Sequence, residues 1–355
     1  MAIKIQPVDE KSRKPVPKEL GFGGVFSNHM FTQDYSNGEW HDATVGPYGP
    51  FTLDPACAVL HYAQEIFEGM KAYRRPDGNI NLFRPYENAR RFNNSAVRMA
   101  MPTVDEDVFV ESVAELVKLD QEWVPSEPGS AYYIRPTMIA TQNALGVMPS
   151  SSYKHYVIGG PVGPYFKGGF NPVGVYISDT YRRAVKGGVG EAKTGGNYAS
   201  SLFVGKQAAE RGYSQVLWLD AIEGRYVEEV GAMNIMFVYG NKIITPKLSG
   251  SILPGITRKS VIELARDLGY EVSEETIDIN DVLRDIKSGA ITEVFGCGTA
   301  AVIAPVGKLG MKDDEFLING NETGPVAKRI YDELTGIQYG TKEDKFGWTQ
   351  VIEVS

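Results

Sequence analysis

The stretch QVLWLDAIEGRYVEEVGAMNIMFVYGNKIITP, residues 215–246, most narrows the folds open to this chain. It reads as three apolar strands set off by turn signals at Glu223-Gly224 and Gly240-Asn241, spaced for hairpins. ITEVFGCGTAAVIAPV, residues 291–306, reads as two more strands joined at a bend of small residues. Helical patterns lie around them at 196–212, 257–269, 279–288 and 325–335. No regular strand–helix alternation carries a G-x-G-x-x-G after a first strand, which disfavours a dinucleotide-binding fold. The predicted class is mixed α and β (α+β).

The first part of the chain mixes hairpins and helices. Pro76-Asp77-Gly78-Asn79 is a turn between the strands MKAYRR and INLFRP. ENARRFNNSAVRM reads as a helix, and VDEDVFVESVAELVKLDQEWV as a longer one with apolar residues at 109, 113, 116, 117 and 123. AYYIRPTMIA and HYVIGG read as strands. The Gly- and Pro-rich GGPVGPYFKGGFNPVG, residues 159–174, follows. A plain flexible linker would carry fewer rings than Tyr165, Phe166 and Phe170, so the segment reads as a loop covering a site. The predicted organisation is a small domain over 1–158, an interdomain loop over 159–174 and a larger domain over 175–355.

Bulk properties remove several functions. The net charge of −8 leaves no surplus of Lys and Arg to neutralise phosphates, which argues against nucleic acid and anionic membranes as partners. Two cysteines, Cys57 and Cys297, make no disulfide framework. The N-terminal MAIKIQPVDEKSRKPVPKEL has no signal-peptide core, and no run approaches the roughly 18 apolar residues of a membrane helix. The expected location is the cytoplasm. His29, His41, His61 and His155 lie far apart without metal-ligand spacing, so no metal centre is expected.

Four stretches carry candidate chemistry. In GGVGEAKTGGNYASS, residues 187–201, Lys193 sits among glycines, but Ala192 stands where a P-loop needs glycine. Taken alone, the lysine reads as a solvated loop residue. In LPGITRKSVIEL, Ile256 and Thr257 open a helix, which is either an anion site or an ordinary helix entry. In EEVGAMNIMFV, Glu229 precedes an apolar strand; it is either an edge residue or a buried carboxylate that needs a partner. In FGCGTAAV, successive N–H groups can bind a carboxylate or phosphate, or simply make a tight bend. A lysine, a carboxylate, hydrogen-bond donors and an anion cradle are what pyridoxal phosphate requires of a protein.

The order and spacing of these stretches closely resemble the branched-chain aminotransferases, a pyridoxal-phosphate family of fold type IV. The resemblance runs from FGGVFSNHM to GPVAKRIYDELTGIQYG and includes FEGMKAYR, LFRPYENARRFNNSA, IRPTMIATQNALGV and GPVGPYFKGG. It implies a two-domain architecture with the cofactor, pyridoxal 5'-phosphate, between the domains and a Schiff-base lysine, Lys193, in the large one. It further implies Tyr198 at the ring oxygen and Glu229 at the pyridine nitrogen. Arg91 is the implied phosphate arginine, with adjacent Arg90 to be distinguished from it. Ile256, Thr257 and Thr299 complete the phosphate contacts.

On the substrate side the resemblance implies that Gly298, Thr299 and Ala300 hold the carboxylate and that Phe22, Tyr62, Phe67, Tyr133 and Tyr165 wall the side-chain pocket. Arg135, with Tyr62 or its neighbours, would take the second carboxylate of glutamate. Val147 would reach a partner subunit's pocket, which implies a homodimer. The implied reaction is reversible amino transfer between leucine, isoleucine or valine and 2-oxoglutarate. Mammalian members carry a C-x-x-C pair after the bend; Ala301 and Ala304 stand there in this chain, so that thiol switch is not expected. Cys297 reads as a buried small residue. Other fold-type IV enzymes (D-amino-acid or R-amine transaminases, aminodeoxychorismate lyases) share the lysine and glutamate. A phosphate- or nucleotide-binding protein using residues 187–196 is the alternative from another class.

Overall fold

The computed structural model of the protein describes residues 2–165 and 169–354. The chain divides into two compact units, one of Met1–Tyr165, Ala192–Gly195 and Gly336–Ser355, the other of Phe166–Glu191 and Gly196–Thr335.

The first unit is built on a nine-stranded sheet. Its strands are β1 (Lys4–Ile5), β2 (His29–Ser36), β3 (Glu39–Pro47), β4 (Glu65–Phe67), β5 (Met70–Arg74), β6 (Ile80–Phe83), β7 (Ala131–Ala140), β8 (Tyr153–Val162) and a C-terminal strand at Thr349–Ile352. The order is β1-β3-β2-β8-β7-β5-β6 and then the C-terminal strand, with β4 added on β7. Its helices are α1 (Ala58–Tyr62), α2 (Pro85–Arg98) and α3 (Glu106–Leu119). Asp105 caps α3 by accepting from the N–H groups of Asp107 and Val108. Phe109, Val113, Leu116 and Val117, the apolar positions read from the sequence, are fully buried there. They join Phe92, Ile66, Met70, Ala72, Ile134 and Met138 in one core. Strand side chains alternate between faces, so with Met70, Ala72, Ile134 and Met138 in that core, Lys71, Tyr133, Arg135 and Thr137 stand on the opposite face. That face carries the polar and aromatic candidates.

The second unit has a mixed nine-stranded sheet of β9 (Val173–Ile177), β10 (Gln215–Leu219), β11 (Val227–Val230), β12 (Asn234–Tyr239), β13 (Lys242–Pro246), β14 (Glu271–Glu275), β15 (Glu293–Gly298), β16 (Val302–Met311) and β17 (Asp314–Leu317). With it run α4 (Gly195–Ala199), α5 (Leu202–Glu210), α6 (Ile256–Asp267), α7 (Ile279–Ser288) and α8 (Pro325–Gln338), of which Gly195 and the last three residues of α8 belong to the first unit. Ile279, Val282, Leu283 and Ile286 of α7 pack with Val175, Leu217, Phe237 and Val306 as the core.

Several sequence expectations are corrected. Residues 215–246 form four strands, because Gly231 turns the chain at φ +58 between β11 and β12. The helix expected at 196–212 is two, α4 and α5. Between them the Ser200 and Ser201 hydroxyls donate to the carbonyls of Asn197 and Tyr198 at 2.9 and 2.6 Å, competing with helical backbone bonds. Residues 159–162 belong to β8 and 173–174 to β9, so the connection is shorter than the predicted 159–174; Phe166 lies outside the described residues. Gly159 and Gly160 serve close approach rather than flexibility: a Cβ would run into the Tyr132 ring and the Val25 carbonyl respectively. The boundaries 1–158 and 175–355 also miss that Ala192–Gly195, with the lysine, and the C-terminal strand belong to the first unit.

Candidate functional site

In the first unit, Lys193 is fixed through its backbone. Its N–H donates to Ser95 Oγ of α2 at 2.9 Å, and its carbonyl accepts from the Phe67 N–H at 2.9 Å. Next to it Thr194 Oγ1 donates to the Glu65 carbonyl at 2.7 Å. A Cβ at Gly195 would meet the Glu65 carboxylate, which would have to swing aside. The Lys193 Nζ lies 4.9 Å from the centre of the Phe67 ring. The sequence between two glycine pairs is thus a clamped segment with a directed amine, not a mobile loop.

Beside it lies a buried ion pair. Glu68, 0% exposed, accepts from Arg91 Nε at 2.7 Å and Nη2 at 2.8 Å, from Asn88 Nδ2 at 2.7 Å and from the Gly69 N–H at 3.2 Å. Burial works to raise the Glu68 pKa; the Arg91 and Lys193 charges and the Arg91 and Asn88 hydrogen bonds outweigh it and hold the carboxyl below its ordinary value. The neighbouring Arg90 is 55% exposed and pairs with Glu87 and Glu106 at the surface. Arg91 is therefore the inward arginine of the two.

An aromatic cluster occupies the face opposite the core. Phe22 meets Tyr133 edge-on at 5.3 Å and Tyr165 at 5.0 Å. Arg135 lies 4.7 Å over Phe67 and 5.4 Å over Tyr133, and its Nη2 donates to the Tyr133 hydroxyl at 3.1 Å. The Tyr62 hydroxyl donates to the Leu145 carbonyl. Val147, two residues on, is 85% exposed. Burial raises the Glu65 pKa, with the Arg135 charge opposing.

In the second unit, Glu229 lies inside β11 and is 4% exposed, rather than just before a strand. A carboxylate so buried requires a partner, and Arg183, whose side chain is 7% exposed, forms an ion pair with it through Nη2. That Nη2 also donates to the Ser251 carbonyl at 2.6 Å, while Nε is buried without a hydrogen-bond partner. Sequence reading assigned Glu229 to a cofactor and missed Arg183; the signal available was the burial requirement itself, which asks for a cation somewhere in the chain. The adjacent Glu228 accepts from Ser251 Oγ, and its pKa is raised by burial.

Ile256 and Thr257 are the buried first residues of α6, whose N-cap, Gly255, supplies no side-chain bond to the helix start. Tyr198 is half-buried in α4. Gly298, Thr299 and Ala300, all half-buried, turn between β15 and β16. The turn ends at Val302 with φ +62, a left-handed conformation that costs a β-branched residue about 1–2 kcal/mol. Cys297 just before it is buried, and burial pushes its thiol up to about 12, as suits an inert packing residue.

By their chemistry the groups suit pyridoxal phosphate: the first unit offers a fixed lysine amine, and the second offers a buried carboxylate beside a guanidinium and a helix start without a side-chain cap. Residues 65–309 match the family described as amino-transferase class IV. The chain is 49% identical over 351 residues to branched-chain-amino-acid aminotransferase 2 of Bacillus subtilis, covering 99% of this chain and 97% of that one. It is 50% identical to the branched-chain-amino-acid aminotransferase of Mycolicibacterium smegmatis, covering 98% and 96%. The solved branched-chain amino acid aminotransferase from Escherichia coli superposes with a TM-score of 0.73 at 29% identity, covering 91% and 98%. A T.th. enzyme of the same name, solved with pyridoxamine 5'-phosphate, gives 0.75 at 28%, covering 94% and 99%.

Proposed function

This chain belongs to the class IV aminotransferases and, within them, to the branched-chain-amino-acid aminotransferases, and on that premise we propose how its residues divide the reaction. The reaction is reversible transfer of an amino group between L-leucine, L-isoleucine or L-valine and 2-oxoglutarate, giving branched 2-oxo acids and L-glutamate. When bound, pyridoxal 5'-phosphate supplies the aldehyde that takes up an amine and the ring that withdraws electrons from the substrate's α carbon. Lys193 would hold it through its amine; once an incoming amine has displaced it, the freed amine would take the proton from the amino acid's α carbon and, in the second half-reaction, deliver one to the α carbon of the 2-oxo acid.

The observation that carries this reading is the clamp on Lys193. Two backbone hydrogen bonds, from Lys193 to Ser95 and from Phe67 to Lys193, fix where the amine begins, and proton transfer needs a base held within about 3 Å of its target. Glu229, held by Arg183, keeps a proton on the ring nitrogen, and Tyr198 serves the ring oxygen. Arg91, Ile256, Thr257 and Thr299 hold the phosphate. The N–H groups of Gly298, Thr299 and Ala300 receive the substrate α-carboxylate. Phe22, Tyr62, Phe67, Tyr133 and Tyr165 exclude water from the aliphatic side chain, whose burial contributes about 1.5–3 kcal/mol. Arg135 with Tyr133 takes the second carboxylate of glutamate. Val147 completes the pocket of a second copy in a homodimer.

Glutamate formation from L-leucine and 2-oxoglutarate tests the reading. Turnover with L-leucine, none with D-alanine, and its loss in a folded Lys193→Ala variant are expected. Turnover with D-alanine alone, or full activity in Lys193→Ala, contradicts it.

A further inference from the structure

Gly69 joins β4 to β5 and is buried, yet its φ is not in the left-handed region, so its lack of a side chain is not required by backbone conformation. What requires it is Tyr133. A Cβ built on Gly69 would overlap the Tyr133 hydroxyl and stand 3.1 Å from Cζ. The tyrosine hydroxyl occupies the place a side chain would take.

Gly69 cannot yield to make room. Its N–H donates to Glu68 Oε2 at 3.2 Å and its carbonyl accepts from Asn88 Nδ2 at 3.4 Å. Both groups belong to the buried cluster around Arg91. On the other side, Lys71 of β5 pairs directly with Tyr133 of β7. A methyl at position 69 must therefore move the ring end of Tyr133, by a shift on the order of 1 Å. The hydroxyl accepts from Arg135 Nη2 at 3.1 Å, so a shift of that size carries the bond beyond the ordinary range.

Arg135 is a cation of this aromatic face, in contact with two of its rings. It lies over Phe67 and Tyr133, and its Nε is buried without a hydrogen-bond partner. A substrate with an aliphatic side chain meets the rings; a substrate with a second carboxylate meets the guanidinium. We propose that Gly69 is a specificity-determining positioning residue: the space it leaves seats the Tyr133 hydroxyl, which sets Arg135 for the dicarboxylate half of the reaction. This rests on the assignment of Tyr133 and Arg135 to the second carboxylate.

The test follows the two half-reactions separately by the cofactor's absorbance in single-turnover experiments, with L-leucine on one form of the holoenzyme and 2-oxoglutarate on the other. Wild-type protein that reacts with neither substrate would refute the proposed function itself, independently of Gly69. With both half-reactions present, Gly69→Ala is expected to lose at least about tenfold more of its rate constant per substrate concentration with 2-oxoglutarate than with leucine. Tyr133→Phe removes the overlapping atom, so Gly69→Ala/Tyr133→Phe should be no worse than Tyr133→Phe alone. Equal losses in the two half-reactions, no loss, or additive losses in the double variant overturn the proposal. Should Gly69→Ala alone not fold, the double variant decides: folded with the selectivity of Tyr133→Phe supports it, and unfolded overturns it.

Discussion

Each unit of the molecule buries one glutamate against one arginine, and the two pairs are built differently. In the first unit, Glu68 is closed: both its oxygens accept from Arg91, and Asn88 and the Gly69 N–H add further donors. In the second unit, Glu229 meets Arg183 through Nη2, which it shares with the Ser251 carbonyl, and Arg183 Nε is left without a partner. A buried charge pair is stable only when its remaining hydrogen-bonding capacity is filled. On the function proposed above, the first pair holds structure around Lys193 and the second presents the Glu229 carboxylate to a bound group.

Glutamine substitutions break or sharpen that contrast. Glu68→Gln leaves Arg91 as an uncompensated buried charge and should cost about 3–5 kcal/mol in denaturant unfolding. Glu229→Gln should cost less, about 1–3 kcal/mol, because Arg183 keeps the Ser251 carbonyl. Its turnover, however, should fall about a hundredfold with cofactor still bound. If Glu68→Gln retains stability while Glu229→Gln unfolds, the contrast is reversed.

A smaller effect asks what burial does to a charge in the first unit apart from the glutamate pair. Burial pushes the Lys71 amine down to about 7 from its ordinary 10.5. A lowered lysine pKa means the fold disfavours the protonated form. The penalty is in full force below about pH 7 and fades as pH rises toward 10.5, so stability should rise with pH through that window. Between pH 7 and pH 9 the gain should be about 2 kcal/mol, and Lys71→Met should abolish it. A pH-independent stability in the unaltered protein would contradict the assignment.

How much of this was legible in the sequence depends on the range of the interaction. The strand AYYIRPTMIA was found at its true ends, and the apolar positions of α3 were read correctly, because pleat and helix periodicities are local. The start of α6 at Ile256 followed from Pro254-Gly255. What was missed acts at a distance. Arg183 is not periodic with Glu229, and only folding brings them together. The glycines at 159 and 160 look like loop residues, and only the Tyr132 ring and the Val25 carbonyl reveal a strand that had to stay bare. The C-terminal strand pairs with β6, which no local pattern announces. The residues of the candidate site were named through family resemblance, whereas their partners, Glu68, Ser95 and Arg183, came from the structure.

The central claim is that Lys193 is the amine that carries the cofactor. Protein reconstituted with pyridoxal 5'-phosphate should be yellow. Reduction with borohydride, followed by digestion and mass spectrometry, should find the phosphopyridoxyl group on Lys193. Finding it on another lysine, the low-pKa Lys71 above all, or on none, would contradict the account.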